Sequence, residues 1–262
     1  MGSEKIAVLG ASGHVGRSIT ITAAGEGIAL YEFSRKWNNF EDWPSYESDV
    51  IINCVGIGSP PAVRELGAGI FGLSDKLDNQ ILEYMHGRNI LYIFISSGAV
   101  HYRNDPYAVS KRCAEMKHRS LPHLNIIDLR LYNYLTPYIN LNDGYLITEI
   151  INSIIDKKPL LTDNIDIRRD FINRFDLWQA IKIFVAAPEN GAYDLYSQAP
   201  VKKFELLDLC SKYFNLQWRI ESEGISAPID YVAKNFSLAK KGFRPCWTSL
   251  DCIWSVFDEL IK

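Results

Sequence analysis

Three glycines, Gly10, Gly13 and Gly16, follow directly on the apolar run KIAVLG of residues 5–10. A short continuous apolar run that stops at glycine suits a strand buried on both faces, as in a parallel sheet. The G-x-x-G-x-x-G spacing then demands a sharp turn from strand to helix, a backbone open to close approach, and tight packing of helix on strand. The helix that opens there directs free N–H groups and the positive end of its dipole at the turn, which together suit a phosphate. Gly10, Ser12, Gly13, His14 and Val15 are therefore candidate cofactor contacts. A tight turn with no ligand is the alternative.

The same alternation repeats along the chain. IALYEFSRK reads as a second strand, SDVIINCVGIG (48–58) as a third, ILYIFISSGAV (90–100) as a fourth and NIIDLRLYNYL (125–135) as a fifth. Helical rhythm separates them, over residues 73–89 and again from Pro106. Strands alternating with helices predict an α/β fold with a doubly wound parallel (Rossmann) sheet. Beyond about residue 140 the rhythm loosens into helices and one strand, AYDLYS. The expectation is a dinucleotide-binding domain at 1–140 and a small C-terminal α/β lobe at 141–262, mainly for substrate, with some segments returning to the sheet. The loop at 56–72, with two prolines and several glycines, reads as a mobile flap or a plain surface loop.

Composition narrows the function classes. Hydrophobic residues make up 47% of 262, enough for a core without disulfides or metal. The formal net charge is −3 with scattered basic residues, so neither a nucleic-acid nor a membrane footprint is expected. Five cysteines, at 54, 113, 210, 246 and 252, lack any C-x-x-C pair. They read as buried reduced thiols of a cytoplasmic protein, without a metal site. No apolar run reaches about 18 residues, so no membrane span is expected. The N-terminal MGSEKI carries neither a signal peptide nor the Ser/Thr of a myristoylation signal, and Gly2-Ser3 could be a cloning remnant.

The end of the second strand bears on cofactor choice. A site for NAD wants a carboxylate there to accept from the ribose 2′-OH, whereas Ser34, Arg35 and Lys36 offer a hydroxyl and two cations. That set suits a 2′-phosphate, so NADP(H) is expected over NAD(H). Glu32, two residues earlier, should lie inside the strand. A solvated loop is the plain alternative for Arg35 and Lys36.

The fourth strand ends in Ser96 and Ser97, and ligands of such sheets sit outside the carboxyl ends of the strands. Tyr107 and Lys111 follow at i, i+4 on one helical face. A free tyrosine ionises near pH 10, and a neighbouring ammonium should lower that. Ser97, Tyr107 and Lys111 thus make a coherent proton-transfer unit, with Ser97 holding the reacting oxygen and Lys111 also available to the nicotinamide ribose. Ser96 reads as a supporting contact.

The segments GASGHVG, DVIINCVG, FISSGAV, PYAVSK, DLRLYNY, RRDFINRFDLWQAI and GFRPCWTSLD stand in one order over nearly the whole chain. In that series the chain resembles the NAD-dependent epimerase/dehydratase branch of the extended short-chain dehydrogenase/reductases. The resemblance implies that Asn53, Cys54, Val55 and Gly56 line the adenosine side of the cofactor. It implies that Ser97 and Gly98 touch substrate and that Asn133 and Arg169 contact the diphosphate of a nucleotide-linked sugar. Arg169 could instead pair with Asp170 or Asp176. A homodimer through the helix of Tyr107 is also implied. The chain departs from the family pattern at His101-Tyr102 and at Asn173-Arg174.

Family members reduce, epimerise or dehydrate. Gly98 and Ala99, which follow Ser97, cannot move a proton, which disfavours a 4,6-dehydratase. The expectation is an NADPH-dependent ketoreductase of a nucleotide-linked 4-keto-6-deoxy sugar, with Tyr107 as proton donor. An NAD-dependent 4-epimerase is the alternative among enzymes, and a non-catalytic NADP-binding redox sensor the alternative of another class.

Overall fold

A computed structural model describes residues 4–223 and 229–261. Gly2 and Ser3 lie outside the described residues. Twelve strands and eight α-helices are described. Six strands form one parallel sheet: β1 (Ile6–Leu9), β2 (Tyr31–Phe33), β3 (Val50–Asn53), β4 (Leu91–Ser97), β5 (Asn125–Leu131) and, much later, β10 (Gly191–Asp194). Their order is β10-β5-β4-β3-β1-β2. The order reverses between β1 and β3, so the crevice expected for a ligand opens at the carboxyl ends of these two strands.

Both faces of this sheet are covered, which is why its strands read as unbroken apolar runs. Ile6, Val8, Ile52, Ile93 and Ile127 point into one cluster, with Ile19 and Ala23 of α1 (His14–Gly25) and Leu177, Trp178, Ile181 and Phe184 of α6 (Arg174–Ala186). Their neighbours Ala7, Leu9, Ile51, Tyr92 and Phe94 point the other way. They meet Leu77, Ile81 and Met85 of α3 (Gly69–Met85) and Ala114 of α4 (Pro106–Arg119). The period-2 alternation of the strands thus distributes one sequence between two helical layers.

A third cluster gathers residues from the C-terminal half of the chain. Ile147, Ile150 and Ile151 of α5 (Leu146–Asp156), Leu206, Leu207 and Cys210 of α7 (Lys203–Phe214) and Cys252, Ile253, Val256 and Phe257 of α8 (Ser249–Leu260) converge there. Three short strand pairs lie outside the main sheet. These are β6 (Asn133–Tyr134) with β9 (Phe171–Ile172), β7 (Leu160–Asp163) with β12 (Trp218–Ser222), and β8 (Arg168–Arg169) with β11 (Val201–Lys202).

Three segments differ from the sequence reading. The second strand is only three residues long, because Tyr31 and Glu32 are exposed at the sheet edge and a 3-10 turn begins at Arg35. The loop at 56–72 contains α2 (Pro60–Leu66) and the start of α3, with Pro60 and Pro61 in the first turn of α2, where no N–H is required. All five cysteines are free, but only Cys210 and Cys252 are buried, while Cys113 and Cys246 are exposed. No helix among the described residues is long and apolar enough to cross a membrane.

Two departures from the family pattern have structural work. Asn173 is the N-cap of α6, its Oδ1 accepting 2.8 Å hydrogen bonds from the N–H groups of Phe175 and Asp176. This satisfies two donors that a helix start leaves free. His101 Nε2 lies 3.2 Å from Asp194 Oδ1, and Tyr102 donates to the Val232 carbonyl at 2.6 Å.

Candidate active site

The glycine turn is shaped by steric need. Gly10 adopts φ +81°, in the left-handed region, and a Cβ on Gly16 would stand 2.3 Å from the Gly10 carbonyl oxygen. Gly13 is the N-cap of α1 and offers no capping side chain, so the first N–H groups of the helix stay available. Gly13, His14 and Val15 line a cavity of about 440 Å³.

The catalytic candidates line the same cavity. Ser97, Tyr107 and Lys111 do so, as do Cys54, Val55, Gly56, Asn133 and Arg169. Ser97 is the last residue of β4, and its Oγ accepts from the Ala99 N–H at 3.2 Å. Ser96, on the opposite face of the strand, donates to Glu115 at 2.6 Å. Tyr107 stands in the first turn of α4, whose start is set by Asp105: its carboxylate accepts from the Ala108 N–H at 3.0 Å. A Cβ placed on Gly58 would lie 3.7 Å from the Tyr107 hydroxyl, so the 56–58 backbone runs close beside the phenol.

The charge state of the pair differs from expectation. Burial pushes the Tyr107 phenol above its ordinary pKa, with the Ser97 hydroxyl and the Arg103 guanidinium acting against the rise. The net direction is up, where a lysine neighbour alone would lower it. Lys111 is buried, donates to the Ile95 carbonyl at 2.7 Å and lies 4.2 Å from the centre of the Phe94 ring. Burial lowers its pKa to about 8, although Asp78, Asp128 and Glu115 pull the other way. An ammonium that titrates near neutrality can exchange protons at ordinary pH.

Two buried nitrogens at the cavity lack partners among the described residues, His14 Nε2 and Arg169 Nε. Burial lowers the pKa of His14 to about 4, so its ring is neutral. The two carboxylates expected to pair with Arg169 are engaged elsewhere, while Asp163 acts on it through charge. Asp170 accepts from the Ser197 N–H and hydroxyl, and Asp176 from Asn173 and the Cys246 N–H. A second cavity, of about 680 Å³, shares Arg169 and Leu146 with the first and is otherwise lined by groups that include Thr162, Asp163, Lys203 and Glu221. The uncapped helix start, the glycine cradle and the unpartnered nitrogens fit an anionic dinucleotide and a second phosphorylated ligand.

Several predicted residues do not reach this cavity. The Asn53 side chain turns into the core, its Nδ2 donating to Tyr92 at 2.9 Å and its Oδ1 accepting from the Val55 N–H at 3.0 Å. It holds the 54–56 backbone from beneath instead of facing a ligand, because its position in the pleat points it at the α3/α4 layer. Gly98 begins a 3-10 turn under the Tyr132 ring, where a Cβ would come within 2.4 Å of the ring. Gly10, Ser12, Ser34, Arg35 and Lys36 form a separate polar edge beside β1 and β2. There Ser34 Oγ lies 2.5 Å from Ser12 Oγ and accepts from the Lys36 N–H at 3.1 Å, while Arg35 and Lys36 are exposed. Glu32 sits inside β2, opposite Val8.

The sequence reading missed four residues around the unit. Tyr134, Asp143 and Tyr145 line the cavity, and Tyr231 lies 3.4 Å from Ser97. Tyr134 closes the segment DLRLYNY but is given no role there, and Asp143, Tyr145 and Tyr231 belong to no motif that would single them out.

Comparison with known proteins bears on the fold and the family. The family model described as NAD dependent epimerase/dehydratase family matches residues 6–197. No curated protein matches the chain in sequence. Among solved structures, UDP-N-acetylglucosamine 4-epimerase from Methanobrevibacter ruminantium superposes with a TM-score of 0.85 at 17% identity, covering 100% of this chain and 99% of that one. RMD from Pseudomonas aeruginosa, in complex with NADPH, gives 0.81 at 19% identity, covering 98% and 97%. UDP-glucose 4-epimerase from Thermotoga maritima, with UDP-glucose, gives 0.84 at 13% identity, covering 98% and 100%. At these identities the likeness is one of fold.

Proposed function

Because the chain belongs to the NAD dependent epimerase/dehydratase family, we propose that it is an NADPH-dependent ketoreductase of a nucleotide-linked 4-keto-6-deoxy sugar. One observation carries the reading. Arg169, whose Nε is buried without a partner among the described residues, lines the same cavity as Ser97, Tyr107 and Lys111. A diphosphate gripped by that planar fork would deliver its sugar to the proton donor.

The nicotinamide cofactor, when bound, supplies hydride to the sugar carbon. The protein supplies the rest. The first N–H groups of α1 and the 54–56 backbone hold the cofactor along the crevice. Ser97 hydrogen-bonds the carbonyl oxygen, and Tyr107 transfers its phenolic proton to that oxygen as it gains charge. Burial keeps Tyr107 protonated and ready to donate. Lys111 contributes a nearby positive charge and contacts to the nicotinamide ribose. Asn133, whose Nδ2 donates to the Asp170 carbonyl at 2.8 Å, lines the same cavity and is assigned to the substrate's diphosphate.

NADP(H) is favoured by the Ser34-Arg35-Lys36 edge, where the strand tip bears two exposed cations and no carboxylate. The second reading, an NAD-dependent 4-epimerase, draws on the same catalytic groups and on epimerases among the structural neighbours. The experiment is to incubate the protein with NADPH and UDP-, dTDP-, GDP- and CDP-linked 4-keto-6-deoxy sugars and follow NADPH oxidation. One hydride consumed per sugar reduced is the expected result. Interconversion of 4-epimers with tightly held NAD and no net consumption would establish the second reading instead.

A further inference from the structure

Ser97 has a partner 134 residues away in the chain, Tyr231, whose hydroxyl lies 3.4 Å from Ser97 Oγ. The segment that carries Tyr231 is pinned at several points. The Tyr231 N–H donates to the Arg168 carbonyl at 2.9 Å, and the Asp170 N–H donates to the Tyr231 carbonyl at 3.2 Å. The Val232 carbonyl accepts from Tyr102, and the N–H groups of Lys234 and Asn235 donate to Asp194 at 2.8 and 3.0 Å. Asp194 also accepts from Tyr132 at 2.7 Å. The Tyr231 ring is thereby held between Tyr102 and Tyr132, with ring centres 5.5 and 5.1 Å away.

We propose that Tyr231 is a positioning residue that donates its phenolic hydrogen to Ser97 Oγ and so fixes Ser97 as a donor aimed at the reacting oxygen. A serine hydroxyl has one proton and two acceptor lone pairs. The Ala99 N–H occupies one lone pair at 3.2 Å. With Tyr231 on the other, the Ser97 proton is left for the cavity that Ser97 shares with Tyr107, whose pKa the Ser97 hydroxyl acts to lower. A phenol is a stronger acid than an alcohol, which makes Tyr231 the donor of the two. The 3.4 Å separation is long for two hydroxyls, and such catalytic contacts commonly shorten when substrate binds. The role in turnover rests on the ketoreductase reading, but the hydrogen-bond order does not, so it can be tested without substrate.

The test follows ionisation of Tyr107 by fluorine NMR in protein labelled with 3,5-difluorotyrosine, whose phenol ionises close to neutrality. The Tyr107 signal is identified by its loss in Tyr107→Phe. The other ionisable groups around it, Arg103, Asp105, Lys111 and Tyr145, are the same in every variant compared. Ser97→Ala removes the donor and should lower the ionisation constant of Tyr107 about tenfold, as expected for one hydrogen bond to a charged group. Tyr231→Phe keeps the ring packed, frees Ser97 to turn away, and should have the same sign and a similar size. In the double variant the second change should add nothing. Charge alone predicts the opposite sign, since removing an ionisable neighbour eases ionisation. An unchanged or increased ionisation constant in Tyr231→Phe would overturn the proposal, as would an unaltered one in Ser97→Ala. A protein that shows the expected pattern yet reduces no keto sugar retains this assignment and loses the function.

Discussion

Lys111 donates a 2.7 Å hydrogen bond to the carbonyl oxygen of Ile95, two residues before the serine that ends β4. The bond ties the helix of Tyr107 to the strand of Ser97. Its donor has a pKa of about 8, lowered by burial. A fall in reductase rate above about pH 8 is therefore expected as the ammonium loses its proton and its charge. Lys111→Arg stays charged at all accessible pH and should remove that limb, whatever its effect on the plateau. Rates measured between about pH 6 and 10 decide it; the same falling limb in Lys111→Arg would assign the titration to another group.

Tyr107→Phe leaves the ring in place and removes the transferable proton. Turnover should drop by about 10²–10⁴, the span of one general acid. NADPH affinity, read from the quenching of protein fluorescence, should change little. Near-full turnover would displace Tyr107 from the proposed role.

Arg169 is the expected anchor of the sugar nucleotide. Arg169→Lys keeps a positive charge but loses the planar fork. Affinity for nucleoside diphosphates should fall roughly tenfold or more, the worth of one charge-assisted hydrogen bond, with NADPH affinity preserved. Calorimetric titration with UDP, dTDP, GDP and CDP separates the two ligands. Equal losses for NADPH and for the diphosphates would mean that the guanidinium serves the cofactor.

Gly98→Ala should destabilise the fold. The added carbon would stand 2.4–2.7 Å from three atoms of the Tyr132 ring. That ring is anchored by the 2.7 Å bond from its hydroxyl to Asp194, so it cannot swing away freely. Overpacking of this kind costs about 1–3 kcal/mol, visible as a lower urea midpoint. Unchanged stability would mean that the turn relaxes.

His118 is fully buried between two carboxylates, with Nδ1 2.6 Å from Asp128 and Nε2 2.9 Å from Asp78. Burial opposes its charge, but hydrogen bonds to Asp128 and Asp78 outweigh burial and raise its pKa to about 9. A histidine raised above its unfolded value of about 6.5 stabilises the fold fully below that pH and loses the contribution as pH climbs to about 9. The loss should reach up to about 3 kcal/mol. Lys111, whose pKa is lowered, works in the opposite sense only above about pH 8. Urea denaturation at about pH 6.5 and 8 isolates the histidine. Stability that is flat or rising over that interval would mean the imidazole is neutral in the folded protein.

Much of this was legible from residues in order. The apolar runs announced the sheet because parallel strands are buried on both faces. Ser97, Tyr107 and Lys111 were legible because they fall within fifteen residues of chain on two successive elements. The glycine turn was legible because Gly10 and Gly16 answer local steric demands. The fate of Asn53 was not legible, since its neighbour motif is compatible with either face and only the pleat of β3 decides where an amide points.

What the sequence by itself determined is the α/β alternation, the glycine turn and the spacing of Ser97, Tyr107 and Lys111, all consequences of short-range backbone geometry and period. What only the tertiary structure decided is the company those residues keep. Arg169 arrives from β8, Tyr145 from the start of α5 and Tyr231 from a segment pinned by Asp194. The reason is physical. Hydrogen-bond order, burial and charge at the cavity depend on contacts between elements far apart in the chain, and such contacts leave no periodic trace in the order of residues.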